Sequence, residues 1–257
     1  MSSSGPPHVH APHGGVHSWR DFFVHIAIIT IGLLLALGLE QIVQSIHHEH
    51  QRAQLEEQMR ETFVANARID QENLRVMGDI RNYLVGLHRA ADASRKGQAA
   101  TMPTPPDNTY ITQTTLGPFE AARENGTIAL LGLDRIRLYN RIASQHEFVA
   151  LDLAEYRKSN RALSAFRKRF DTASTYDRLL IITLPPDLAA LSGAELAEYQ
   201  QRIADALESI DQFVLRTRRL ENQTRAILNG AHDESELIRA TVIVQDSGIP
   251  APSGGGK

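Results

Sequence analysis

Residues 22–39 read FFVHIAIITIGLLLALGL, and this run decides what the chain can be. No side chain in it carries a fixed charge; His25 alone can take a proton. A hydrocarbon core about 30 Å thick needs about 20 apolar residues at about 1.5 Å rise each. Ile42, Val43 and Ile46 extend the run past Glu40 and allow a tilted span. The flanks suit a membrane helix. Ser18 followed by Asp21 approaches a capping box and sets a carboxylate near the positive helix end. Trp19 and Arg20 favour the headgroup layer. Glu40 and Gln41, then His47, His48, Glu49 and His50, mark the exit. A cleaved signal peptide would need a basic leader, a shorter apolar core and a small-x-small cleavage site; LEQIVQS at 39–45 supplies none. Segment 18–46 is therefore expected to be an uncleaved transmembrane helix.

The 257 residues leave room for about one soluble domain beyond that span. Lys plus Arg number 27 and Asp plus Glu 30, a net charge of −3, which argues against nucleic acid as a partner. The basic runs Arg167-Lys168-Arg169 and Arg216-Thr217-Arg218-Arg219 read as solvated helix faces paired to nearby acids. With no cysteine, the chain has no disulfide, thiolate metal site or thiol nucleophile.

Residues 1–17 and 246–257 are rich in Gly, Pro and Ser and are expected to be disordered tails. The GGGK at 254–257 lacks the spacing of a phosphate loop. Between the tails, 47–245 is expected to form a helical bundle. The first helix should run from about Trp19 to Asp92, with about 70 Å of it beyond the bilayer. Its apolar positions are Met59, Phe63, Leu74, Met77, Leu84, Leu87 and Ala91. The second pattern alternates threes and fours through Ile136, Tyr139, Ile142, His146, Val149, Leu153, Tyr156, Asn160, Leu163, Phe166 and Phe170, a heptad seam with Asp134 as its expected cap. The third opens on Ser192 and Glu195, an S-x-x-E box, and keeps one face from Leu196 through Ile203, Leu207, Ile210, Val214, Thr217, Leu220 and Ile227 to a stop at Asn229-Gly230. Proline and glycine make 96–107 a loop, Pro118 to Asn125 a short helix, and Leu184-Pro185-Pro186 a break. The run Leu179-Leu180-Ile181-Ile182 stays open between helix end and extended segment. The fold class is all-α: one N-terminal transmembrane helix continuing into an elongated antiparallel helical bundle.

Two stretches carry a resemblance. The apolar run after His17-Ser18-Trp19, with its internal Gly, resembles the anchor of a group of bacterial single-pass membrane proteins of unknown function. Phe119-Glu120 through Gly126-Thr127-Ile128-Ala129-Leu130-Leu131, followed by Asp134, Arg137 and Tyr139, is similar to that group's central segment. The resemblance covers under half the chain. It implies a membrane-anchored helical protein and brings no catalytic residues.

Within the span, His25, Ile29, Gly32, Ala36 and Glu40 share one helical face. Small residues let helices approach closely in lipid, and polar residues gain partners there, so His25, Gly32, Ala36 and Glu40 form a candidate homo-association face. His146 and Asn160 are polar residues in the second seam, where such groups usually fix register. The eleven histidines include His8, His10, His13 and His17 before the span and His47, His48 and His50 after it; the missing HExxH spacing and missing cysteines favour interfacial roles over a metal site. No hydrolase elbow, dinucleotide fingerprint or phosphate loop is present, and no cofactor is expected. Arg20 lies before the span and Arg52 is the first basic residue after it, so the bundle is expected outside the cytoplasm, in the periplasm of a bacterial inner membrane. The function expected is a non-enzymatic, membrane-anchored interaction or scaffold protein, its partners the bilayer and further copies of itself. The alternative is an anchored sensor whose bundle binds a small molecule.

Overall fold

A computed structural model of the chain describes residues 19–170 and 182–239. The tails, Ser18, the four leading histidines and Leu179 to Ile181 lie outside the described residues. Two compact units divide at Gln51/Arg52. Every regular element among the described residues is helical.

In the first unit, α1 (Trp19–Arg95) begins with the apolar run. It is the one helix among the described residues long and apolar enough to cross a membrane, and none of its apolar window is buried.

The second unit is an all-α bundle of the later part of α1 with α2 (Gly117–Asn125), α3 (Leu133–Lys168) and α4 (Gly193–Leu228). The α3 seam is the expected one: Tyr139, Ile142, His146, Val149, Leu153, Tyr156, Asn160, Leu163 and Phe166 are all buried. Ile136 is half-buried, and Phe170 falls beyond the helix end and stays exposed. Asp134 is not the cap. Gly132 holds that position with no side-chain bond, and Asp134 sits in the first turn, where its carboxylate still meets the positive helix end. Ser192 and Glu195 close the full capping box on α4. Gly126 and Gly230, at φ of 82° and 97°, terminate α2 and α4 in the left-handed region that glycine tolerates.

Side-chain pairs between the helices set the register. Phe63 meets Tyr139 at 5.6 Å between ring centroids, and Tyr83 shares Thr183 with Asn160, so α1 and α3 run parallel. Arg81 pairs with Asp211 at 2.6 Å, Asp152 with Arg216 at 2.9 Å and Ser159 with Ser209 at 3.1 Å, so α4 runs antiparallel to both. The parallel pair is possible because 98–116 carries the chain back along α1. This segment has no helix or strand of its own. Its Pro103 packs where Gly86 leaves room, and its Ile111 and Leu116 are buried. A Cβ at Gly86 would stand 2.7 Å from that of Pro103. Gly86→Ala should therefore displace the returning segment and cost about 1–3 kcal/mol despite its gain in helix propensity. Thermal unfolding of the full chain in detergent micelles checks this; a raised midpoint would show that Pro103 yields freely.

Aromatic groups close both ends of the seam. Phe119 of α2 sits edge-on to Tyr139 at 5.8 Å. Phe166 stacks on Tyr199 at 5.3 Å under Arg169 and Arg202, both paired to Glu198. Beyond α4, residues 234–239 form one more helical turn, unexpected from the sequence. Asp233 accepts from the Glu236 amide at its start, Leu237 is buried, and Glu234 pairs with Arg141.

Candidate functional site

The inward positions of α1 step through Leu55, Met59, Phe63, Asn66, Asp70, Asn73, Met77, Ile80, Leu84, Leu87 and Ala91. Three successive members are polar, and all are buried: Asn66, Asp70 and Asn73. The register places Ile142, His146 and Val149 of α3 beside them, and Thr224, Leu220 and Thr217 of α4. The apolar layers on either side are Phe63 with Tyr139 and Ile227, and Met77 with Leu153 and Phe213.

The returning segment covers this polar section. Asn73 pairs with the Thr112 backbone in both directions: its Nδ2 donates to the carbonyl at 2.8 Å and its Oδ1 accepts from the amide at 3.0 Å. Asn66 Nδ2 donates to the Thr115 carbonyl at 2.8 Å. A side-chain amide thus supplies what a neighbouring strand would, and the partly buried backbone groups of Thr112 and Thr115 find partners. Thr114 lies between, its Oγ1 hydrogen-bonded to His146 Nδ1 at 2.8 Å.

Asp70 is fully buried, and neither carboxyl oxygen has a hydrogen-bond partner among the described residues. Loss of solvation pushes its pKa up to about 7. Nearby Glu221 adds to the rise, and the Thr114 hydroxyl, close but not completing a hydrogen bond, offsets a little of it. His146 is moved the other way: burial lowers its pKa to about 4, and its Nε2 has no partner among the described residues. Both groups are therefore neutral over a wide range. The Thr114 hydroxyl has a single proton, so it can serve either His146 Nδ1 or the Asp70 carboxyl as donor, and not both at once. Thr217 and Thr224 are fully buried, with hydroxyls that find no partner among the described residues. Glu221 is held by Arg225 at 2.6 Å. A cavity of about 20 Å³ beside His146, walled by Asn73, Thr112, Thr114, Leu153 and Phe213, has room for a single water. This arrangement can hold a proton, and the cavity beside it is water-sized.

The residues singled out from sequence fall in three places. His25, Gly32, Ala36 and Glu40 are all exposed on one face of α1; His25 Nδ1 bonds the Asp21 carbonyl at 2.8 Å and Glu40 accepts from Gln44. His146 belongs to the polar section. Asn160, two heptads on, is a separate site: its Oδ1 accepts from Thr183 Oγ1 at 3.0 Å. His47, His48 and His50 are exposed, and no three metal-ligating side chains gather among the described residues. Asn66, Asp70, Asn73, Thr114 and Glu221 were not anticipated. An open cleft of about 330 Å³ over Phe63 and Ile227 has Arg60 and Arg135 among its walls, but Arg60 is paired with Glu57 and Arg135 with the Ala231 carbonyl and His232.

Comparison with protein-family models, with curated proteins and with solved structures returns no match to this chain.

Proposed function

We propose that this chain is a non-enzymatic, single-pass membrane protein whose helical bundle works by interaction, as a scaffold, with the span associating with further copies of itself. One observation carries the reading. The apolar window of α1 has none of its surface covered, whereas the bundle has a closed core of its own. Covering this eighteen-residue window with lipid is worth far more than leaving it in water. On the flanking charges, the bundle is assigned to the periplasmic side of a bacterial inner membrane. The ligand-sensor reading ranks second: the cavity inside the polar section is water-sized, and the larger clefts of about 330 and 620 Å³ are open to solvent.

Alkaline extraction of membranes tests the anchor. The full-length chain should stay with the bilayer, and a soluble chain beginning near Ile42 would overturn the reading. Association is tested by a two-helix reporter in bacterial membranes. Gly32→Ile should reduce the signal by holding the backbones apart, while Leu33→Ile, off the stripe, should leave it near the parent level. If the parent span gives no signal, self-association through this helix is excluded.

A further inference from the structure

We propose that residues 108–116 form a strap over a proton-binding site at Asp70, and that loss of the proton opens the strap. The geometry comes first. On its other sides Asp70 is enclosed by three long helices, whose backbones are bonded internally. The strap has no such ladder. Its polar ties into the core run through the polar section itself: Asn73 to Thr112, Thr114 to His146, and Asn66 to Thr115. The Thr112 amide is held by the Asn73 side chain and the Tyr110 amide by Asn108. Opening the strap breaks few hydrogen bonds and uncovers Ile111 and Leu116, whereas opening a helix would break a continuous ladder, so the strap is the route offered to water.

The charges around Asp70 make that route matter. From the strap, Thr114 faces it, and residues 108–116 contain no titratable group except exposed Tyr110. From α3 comes His146, neutral above about pH 4. From α4 comes Glu221, whose charge repels an anion, with Arg225 drawn to it. On α1 itself, Glu72 and Arg75 pair with each other at the surface. Among the described residues, a carboxylate at 70 thus meets a second carboxylate and no cation that lowers its pKa. It must either keep its proton or admit water.

The magnitude follows from the two states. With the strap closed Asp70 titrates at about 7; hydrated, it should return to about 4. The opening constant should then rise about 30-fold between pH 5.5 and 8.5. Hydrogen–deuterium exchange of the full chain in detergent micelles reads this at the strap amides, after correction for the intrinsic pH dependence of exchange. In the parent, protection of 108–116 should fall about 30-fold over that interval, while amides of α3 and α4 change little. Asp70→Asn should make strap protection independent of pH. Glu221→Gln removes the repelling charge, so its opening midpoint should move to lower pH. Parent protection that changes less than about threefold overturns the proposal, as does an Asp70→Asn profile as steep as the parent's. If Asp70→Asn fails to fold by circular dichroism, Glu221→Gln decides in its place, and an unmoved midpoint overturns the proposal.

Discussion

Leu153→Ala should lower the unfolding free energy by about 2–5 kcal/mol. Leu153 is 2% exposed and sits at the middle of the α3 seam, level with Met77 and Phe213. The cost has two parts, lost transfer of the side chain from water and the void left behind. The void is the larger concern here, because Leu153 already walls the small cavity beside His146. Truncation would join the two spaces and give water a path to the ring nitrogen. Helices of this length, fixed along both flanks, collapse poorly around such a gap. Leu151→Ala is the matched control: that side chain is 61% exposed, and its loss should stay within about 0.5 kcal/mol of the parent. Chemical unfolding of the full chain in detergent, followed by circular dichroism, compares the two. Equal midpoints for Leu153→Ala and the parent would mean that the α3 seam does not face a packed core.

The α3 seam was legible because its apolar residues recur at three- and four-residue steps, and those from Tyr139 to Phe166 map onto buried positions, while Ile136 is half-buried and Phe170 lies past the helix end. The Ser192 box and the glycines at 126 and 230 were legible for the same kind of reason: a local hydrogen bond or a local φ requires that residue type whatever the rest of the fold does. Asp134 shows the limit of this reasoning. A carboxylate near a helix start serves equally as cap or as first-turn charge, and the choice depends on the preceding backbone, which runs through the short 3-10 turn Thr127–Leu130. The direction of α3 relative to α1 was not legible. It depends on 98–116 packing as an extended stave, and an irregular segment has no periodicity to betray it.

The polar section escaped notice for a related reason. An apolar reading of α1 breaks after Phe63 and resumes at Leu74, but Leu74 is only half-buried and the true inward positions are Asn66, Asp70 and Asn73. Continuing the three-four count from Phe63 to Met77 places those residues inward without any hydrophobicity at all. What no count could show is why they are tolerated there. Two of them serve the backbone of a segment 39 to 49 residues away, and the third is a carboxyl whose pKa burial raises to about 7. His146 was visible in its seam, but its partner Thr114 comes from the same unpatterned segment.

Asp70→Asn and His146→Gln should change stability with opposite dependence on pH. From about pH 4 to 6.5 the unfolded chain carries an ionised Asp70 and a charged His146, so the pair binds one proton. The folded chain over the same range holds a protonated Asp70 and a neutral His146, and again the pair binds one proton. Folding then neither takes up nor releases a proton at this pair, and its contribution is flat with pH although both groups are strongly displaced. Removing either one uncovers the other. Asp70 is a carboxyl with a raised folded pKa, so its burial costs nothing below about pH 4 and its full penalty above about pH 7. Asp70→Asn should therefore gain on the parent as pH rises, by about 4 kcal/mol across that interval. His146 is a base with a depressed folded pKa, so its penalty is full below about pH 4 and gone above about 6.5. His146→Gln should gain on the parent as pH falls, by about 3 kcal/mol. Unfolding free energies of each variant minus the parent, taken at pH 4, 5.5, 7 and 8, cancel every other titrating group and any constant effect of the substitution. A flat difference for Asp70→Asn would show that the carboxyl is ionised and compensated in the folded chain. A flat difference for His146→Gln would show that the ring keeps its ordinary affinity for a proton. Opposite slopes of similar size would establish that both groups are buried in their neutral forms, the proton lost from one on folding being matched by the proton gained at the other.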